Sequence, residues 1–307
     1  MATKDVTTTN RVTGKVVDDE PWTVLRLLEW TTGFFKSKGS DSPRLDAEVL
    51  LAAARDCQRI DLYAAFNDVP GDEVRTAFRE MVRRRAGGAP VAQLVGHKEF
   101  YSHKFRVDES TLIPRPETEH VVIEAIDRIK LIDRTDRPVR VADIGTGSGA
   151  IGLSIAGQMK DIEVVATDVS EAALRIAKYN AEAMELSDRV TFAQGDLLSA
   201  VESPATFDVI CSNPPYVTEA EYDELDPSVR DHEPRTALVA GPAGTEVIER
   251  ILTECLDRLE SGGWFIIELS PMIAAAAKSI AEQTGAFSEV GLVKDLGRRD
   301  RVLVVRR

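Results

Sequence analysis

Phe207-Asp208-Val209-Ile210-Cys211-Ser212-Asn213-Pro214-Pro215-Tyr216 is the stretch on which the reading of this chain turns. Phe207 to Ser212 is apolar enough for a buried strand, and the pattern then breaks into two consecutive prolines. Neither proline donates a backbone hydrogen bond, and each fixes φ near −65°. Pro214 also keeps Asn213 out of the helical region. The loop is therefore stiff, and its carbonyl oxygens have few local donors. An Asn side-chain oxygen, one or two backbone carbonyls and a flat aromatic ring can converge there on a planar group that carries N–H donors. An amide or an exocyclic amine fits, because both N–H bonds can be held while the nitrogen is attacked from one face. A strand followed by an ordinary proline-rich turn is the plainer alternative. The segments upstream decide between them.

Val139 to Ile144 predicts a strand and Ala150 to Gln158 a helix, joined by Gly145-Thr146-Gly147-Ser148-Gly149. Glycines at such a turn let the backbone approach a ligand closely over a helix N-terminus. Gly145, Gly147 and Ala150 also satisfy the G-x-G-x-x-A spacing of dinucleotide folds, so a nicotinamide dehydrogenase competes at this point. Asp168, at the end of the next strand (Ile162 to Thr167), can accept two hydrogen bonds from ribose hydroxyls under either reading. After a third strand (Arg189 to Gln194), Gly195-Asp196-Leu197 offers an acid for an adenine amino group, and Leu197 for the face of its ring. In a doubly wound sheet the first and fourth strands are neighbours at the switch point where ligands bind. The Asn213–Tyr216 loop then stands over whatever Gly145 to Gly149 cradle. A loop that grips an amide has no role in hydride transfer. It has one where a cofactor presents a methyl sulfonium to a nitrogen nucleophile.

Asp143 to Gly149, Asp168 and Asn213 to Tyr216 resemble the motifs of the S-adenosylmethionine-dependent amino-methyltransferases. Asn-Pro-Pro-Tyr is shared there by adenine-N6 DNA methyltransferases and glutamine-N5 protein methyltransferases. The helical N-terminal segment, Gly96-x-x-Glu99-Phe100, Leu112 to Glu119 and Glu233 to Leu238 narrow the choice. In order, from about Pro21 to the C-terminus, they resemble the release factor glutamine methyltransferase family. The resemblance implies S-adenosylmethionine as methyl donor, S-adenosylhomocysteine as product and no metal. It implies as substrate the glutamine of the Gly-Gly-Gln tripeptide of class-1 peptide-chain release factors. Asn213 and the Pro214 carbonyl would accept the two N–H bonds of that glutamine. Tyr216 would pack on its amide plane, Pro215 would complete the catalytic loop, and Phe100 would close an apolar wall. Arg115, held between Pro114 and Pro116, is a further candidate for the pocket lining, with an ordinary turn arginine as the alternative. Glu268-Leu-Ser-Pro-Met272 departs from the family pattern of Glu-x-Gly followed by Gln. No general base with a suitable pKa is evident, so catalysis is expected to rest on positioning.

The flanks complete the organisation. Residues 1–20 are Thr-rich, mixed in charge and without an apolar core, which predicts a disordered extension rather than a secretory signal. Residues 21–88 read as a helical docking domain. Its first helix opens at Pro21, its second is capped by Ser42 with Pro43 at N1, a third lies near Gln58 to Ala65, and a fourth runs from Asp72 to Arg85. Gly87-Gly88-Ala89-Pro90 breaks the composition, and 89–115 read as a β-hairpin linker. Residues 116–307 alternate strand and helix. That predicts a Rossmann-like α/β domain with a mostly parallel seven-stranded sheet and an antiparallel edge near Val290 to Val293 and Arg301 to Val305.

A length of 307 residues favours two domains. Hydrophobic content of 43% and charged content of 29% are those of an ordinary soluble protein. No apolar run approaches the ~20 residues that span a bilayer, so no membrane partner is expected. Cys57, Cys211 and Cys255 form neither a disulfide framework nor a zinc spacing, which fits a cytoplasmic protein. A net charge of −13 argues against a surface that tracks nucleic-acid phosphates. It therefore weighs against the main alternative, an adenine-N6 nucleic-acid methyltransferase. A non-enzymatic module that binds cofactor and docks a partner is the third reading, and the intact Asn213 weighs against it.

Overall fold

Thr23, not Pro21, starts the first helix of the structure, a computed structural model that describes residues 20–134, 136–202 and 205–307. The extension expected over 1–20 lies, but for Glu20, outside the described residues. The Thr23 hydroxyl accepts the Arg26 N–H at 3.3 Å, a side-chain cap that Pro21 cannot make. The resulting helix α1 (Val24–Ser37) buries Val24, Leu28, Thr31 and Phe35 along one stripe. Helix α2 (Pro43–Ala54) has Pro43 in its first turn as expected, but the Ser42 side chain makes no cap. The Ser42 N–H instead donates to Ser40 Oγ at 3.2 Å. Helix α3 (Arg59–Ala64) is opened by the Asp61 carboxylate, which accepts the Gln58 N–H at 2.9 Å. Helix α4 (Asp72–Ala86) follows. Two compact units divide the chain between Val82 and Arg83, inside α4.

The second unit opens with a departure from expectation. Val91 to Val95 form a short helix, α5 (Val91–Val95), ended by Gly96 in the left-handed conformation at φ 77°. Only then come β1 (His97–Phe100) and β2 (His103–Arg106), paired antiparallel across Tyr101 and Ser102, which both have positive φ. Two such residues suit the twist of a tight hairpin. A 3-10 turn at Pro116–Thr118 leads into α6 (Glu119–Ile129). The alternation then runs β3 (Val139–Ile144), α7 (Ala150–Gln158), β4 (Ile162–Asp168), α8 (Glu171–Ala183), β5 (Val190–Gln194) and β6 (Phe207–Ser212). An interlude of short elements follows: β7 (Val217–Thr218), α9 (Glu219–Tyr222), α10 (Pro227–Arg230) and β8 (Val239–Gly241). The chain closes with α11 (Glu246–Arg258), β9 (Leu259–Glu268), α12 (Ala274–Gln283), β10 (Glu289–Lys294) and β11 (Asp300–Arg306).

The main sheet has seven strands in the order β10-β11-β9-β6-β3-β4-β5. Strands β3, β4, β5, β6 and β9 pair parallel. Strand β6 is buried at all six positions, as expected of a strand covered on both faces. The last two strands pair antiparallel as expected, but β11 inserts between β9 and β10, so the edge itself is β10. The first and fourth parallel strands, β3 and β6, are neighbours, with Ile144 opposite Ser212. Their two C-terminal loops therefore leave the sheet side by side. Among the described residues no helix is long and apolar enough to cross a membrane.

Candidate active site

The loop after β3 turns through left-handed positions at Gly145, Gly147 and Gly149, with φ of 67°, 55° and 87°. A side chain is strained in all three. At Gly145 and Gly147 a Cβ would meet nothing, so these faces are open for a ligand. At Gly149 it would lie 2.7 Å from Leu153 Cδ1, so this glycine serves the packing of α7. Asp143 anchors the turn from below. Its Oδ2 accepts the Thr146 hydroxyl at 2.6 Å and the Gly152 N–H at 2.9 Å. Burial pushes its carboxyl up to about 6, against those two bonds. Asn180, 1% exposed, braces the loop from α8 by donating to the Ser148 carbonyl at 2.8 Å. It also exchanges hydrogen bonds with the backbone of Arg106 on β2.

Asp168 ends β4 beside this loop. One of its oxygens accepts the Gly147 N–H and the other the Ser170 N–H, both at 2.9 Å. Each oxygen keeps a lone pair, and burial raises the carboxyl against these bonds. Asp196 pairs with Arg250 at 2.5 Å. Leu197 next to it holds φ at 52°, an uncommon conformation for a leucine and one that clusters at functional sites. A cleft of about 320 Å³ gathers Gly145, Thr146, Gly147, Ser148, Asp168, Asp196, Leu197, Asn213 and Pro215 around one space. Thr111, which the sequence did not single out, also lines it. Thr111 is 1% exposed, and its hydroxyl has no protein partner.

Asn213 follows β6, whose last residue Ser212 donates its hydroxyl to the Ile144 carbonyl at 2.8 Å and so ties the two loops together. The Asn213 Nδ2 donates to Thr118 Oγ1 at 3.2 Å. The Tyr216 hydroxyl donates to Glu268 Oε1 at 3.3 Å. Glu268, the last residue of β9, is 1% exposed. Burial pushes its carboxyl up, against the Thr118 hydroxyl, the charge of Arg301 and the Tyr216 hydroxyl. Burial likewise pushes the Tyr216 phenol well above its ordinary range, so it stays protonated. Downstream, the short β7–β8 pairing clamps the loop, with the Val217 N–H on the Leu238 carbonyl at 2.9 Å.

A family described as "PrmC N-terminal domain" matches residues 26–96, and one described as "Methyltransferase small domain" matches residues 129–226. The chain is 60% identical over 287 residues to a release factor glutamine methyltransferase of Rhodopirellula baltica, covering 93% of this chain and 97% of that one. The chain belongs to the release factor glutamine methyltransferase family. Another member, from Chlorobaculum tepidum, is 39% identical over 93% of this chain and 98% of its own. Among solved structures, the hMettl16 catalytic domain bound to a MAT2A 3′UTR hairpin is 21% identical with a TM-score of 0.55, covering 74% of this chain and 81% of that one. That likeness speaks for the methyltransferase fold alone.

Within this family member, not every residue expected at the site borders the cleft. The Pro214 ring is buried, and Gly149 is the N-cap of α7. Tyr216 is turned toward Glu268. The ring of Phe100 was expected at an apolar wall, but it lies in the core, 2% exposed and edge-on to Phe105 at 5.9 Å between centroids. The hairpin register explains this: Phe105 faces Lys98, which puts Phe105 on the same face of the ribbon as Phe100. Arg115 gives its guanidinium to Glu233, whose other oxygen accepts the Ile113 N–H at 3.3 Å. Two of the segments that carry the family resemblance are thereby joined. Thr118 and Asn180 were overlooked because nothing local marks them.

Proposed function

We propose that this chain transfers a methyl group from S-adenosylmethionine to the side-chain nitrogen of the glutamine in the Gly-Gly-Gln tripeptide of class-1 release factors. The observation that carries the reading is the juxtaposition of Asn213 with the glycine loop at the β3–β6 neighbourhood, in a chain with a 60% identical release factor glutamine methyltransferase as relative. The residues suit the cofactor. Open glycine faces, an Asp168 with spare lone pairs and a cleft near the lower end of small-molecule sites fit an adenosyl group. When bound, the cofactor supplies a methyl group on a positively charged sulfur. The Gly145–Ser148 backbone would wrap it, Asp168 would accept its ribose hydroxyls, and Asp196 and Leu197 would flank its base.

The remaining work belongs to the substrate amide. Its lone pair is delocalised into the carbonyl, so it attacks poorly unless it is held. Asn213 Oδ1 and the Pro214 carbonyl accept its two N–H bonds and turn the nitrogen toward the methyl group. Pro215, which lines the cleft, would pack on the amide plane, and Tyr216 would brace the loop through Glu268. The Tyr216 hydroxyl is committed to Glu268 and keeps its proton, so it cannot act as base. One N–H proton leaves to water once the nitrogen has gained its new bond. Orientation of this kind can contribute up to about 7–11 kcal/mol. We assign the helical segment 21–88 to docking the release factor.

Incubating the full chain with labelled S-adenosylmethionine and either purified release factor or duplex DNA tests the reading. Label should appear on the release-factor peptide that holds the glutamine, located by mass spectrometry. Label on DNA alone would overturn it.

A further inference from the structure

Asp196 borders the cleft with its side chain 55% exposed, and a carboxylate so placed selects a ligand group only if something fixes it. Helix α11 supplies the fixing group. We propose that Arg250 is a positioning residue that sets the Asp196 carboxylate to accept the 6-amino group of the adenine, so that the site prefers a 6-aminopurine to a 6-oxopurine. This inference rests on the proposed function, since the base belongs to the S-adenosylmethionine assigned to the cleft.

Val247, Arg250 and Glu254 follow one another at helical spacing along one side of α11. That side meets the turn after β5. Glu254 Oε2 accepts the Leu198 N–H at 3.0 Å, and Arg250 Nη2 donates to Asp196 Oδ2 at 2.5 Å. The turn is also anchored at its start, where the Gly195 N–H donates to the Asp168 carbonyl at 3.0 Å. A Cβ on Gly195 would lie 2.9 Å from Ala200 Cβ, so the turn closes tightly on itself. Leu197, at its φ of 52°, is held between these two anchors. The backbone of Asp196 is therefore set, and the rotation of its side chain is what Arg250 takes away. A carboxylate only accepts hydrogen bonds. With Oδ2 given to Arg250, Oδ1 has no hydrogen-bond partner among the described residues. A 6-amino group supplies the missing donor, whereas a 6-oxo group sets lone pairs against lone pairs. A site built to bond one group strongly rejects the analogue that lacks it. Arg250 borders the same cleft, so its charge also offsets that of Asp196 where the base displaces water.

Calorimetry on the full chain with S-adenosylhomocysteine and with S-inosylhomocysteine, in which a 6-oxo group replaces the 6-amino group, tests this. The parent should bind the adenosyl ligand at least about tenfold more tightly. Arg250→Ala should lower that preference about three- to tenfold, with the inosyl ligand bound within about twofold of the parent. Loss of packing alone would weaken both ligands alike. Asp196→Ala should abolish the preference, and adding Arg250→Ala to it should change nothing further, because Arg250 acts through Asp196. A parent that does not discriminate, a parent-like preference in Arg250→Ala, or equal weakening of both ligands there would overturn the assignment. So would an Arg250→Ala effect that persists without Asp196. A parent that shows the preference, loses it in Arg250→Ala and yet leaves release factor unmethylated would overturn the substrate and leave the assignment standing.

Discussion

Replacing Asp143 by asparagine separates what this carboxylate does for the fold from what its charge does to it. Asp143 is 1% exposed, and Oδ2 holds Thr146 and Gly152 while Oδ1 has no partner. Burial raises its pKa from an ordinary 3.8 to about 6, with the nearby Asp168 charge adding to the rise. The folded chain therefore binds the proton more tightly than the unfolded one. Stability from that proton is complete below about pH 3.8 and is lost as pH rises through about 6. At about 1.36 kcal/mol per pH unit, the ionised carboxylate costs the folded state about 3 kcal/mol at neutral pH and above. Asparagine can accept from Thr146 and Gly152 through its own oxygen and carries no charge. Its NH2 replaces the unpartnered oxygen, which adds an offset independent of pH. Thermal or urea unfolding of parent and Asp143→Asn at pH 5, 6, 7 and 8 should show the variant gaining on the parent as pH rises. Between pH 5 and pH 8 the variant should gain about 1.4 kcal/mol of that 3 on the parent, levelling off above pH 7. A difference that is constant with pH, or that grows on acidification, would refute the reasoning.

Asn213→Ala should lower kcat by a factor on the order of 10² to 10³, with a much smaller change in cofactor affinity, as read by single-turnover kinetics and calorimetry. Asn213→Asp should bind S-adenosylmethionine as tightly or more tightly and still transfer poorly, because attraction to the sulfonium is a ground-state effect. Asp168→Ala should weaken cofactor binding by roughly 1.5–3 kcal/mol for each charge-assisted bond lost. It should also lower the melting temperature, since the same carboxylate holds the Gly147 and Ser170 amides. Gly149→Ala adds a Cβ 2.7 Å from Leu153 at a φ of 87° and should destabilise the fold by about 1–3 kcal/mol, measured by urea unfolding.

The core of the site was legible because its signals are local. A strand, a run of glycines and a helix follow one another within Val139 to Gln158, and Asn213 to Pro215 advertise their stiffness in sequence. Local signals also misled where two competed. Pro21 drew the start of α1 away from Thr23, although threonine is the residue that can accept a backbone N–H there. Val91 to Val95 carry β-branched residues at both ends, yet Gly96 lets a single turn of helix close before the hairpin begins. What could not be read was pairing across distance. Thr118 meets Asn213 across 95 positions, Arg115 meets Glu233 across 118, and β11 threads between β9 and β10 although its hairpin partner is only β10. Each side of such a pair looks like an unremarkable polar residue or strand until the fold brings the other side to it.

The placement of charge around Asn213 follows from the same pairings. An aspartate at that position would draw the positive sulfur in the ground state, and the attraction would weaken as methyl transfer dispersed the charge. The chain keeps a neutral acceptor at the reacting surface and sets its carboxyl one layer back, at Glu268, behind the hydroxyl of Tyr216. Burial raises the Glu268 carboxyl, and the charge of Arg301, 8% exposed and bonded to Asp295 at 3.2 Å, works against that rise. In a low-dielectric interior a charged acceptor polarises the hydrogen bonds chained to it. Glu268 can therefore act through orientation: it holds the Tyr216 hydroxyl at 3.3 Å, while the substrate meets only neutral oxygen. Glu268→Gln should accordingly impair transfer more than cofactor binding, because the carboxamide can present the Tyr216 hydroxyl with either a donor or an acceptor. Equal losses in kcat and in cofactor affinity would place Glu268 in the packing of the β9 end instead.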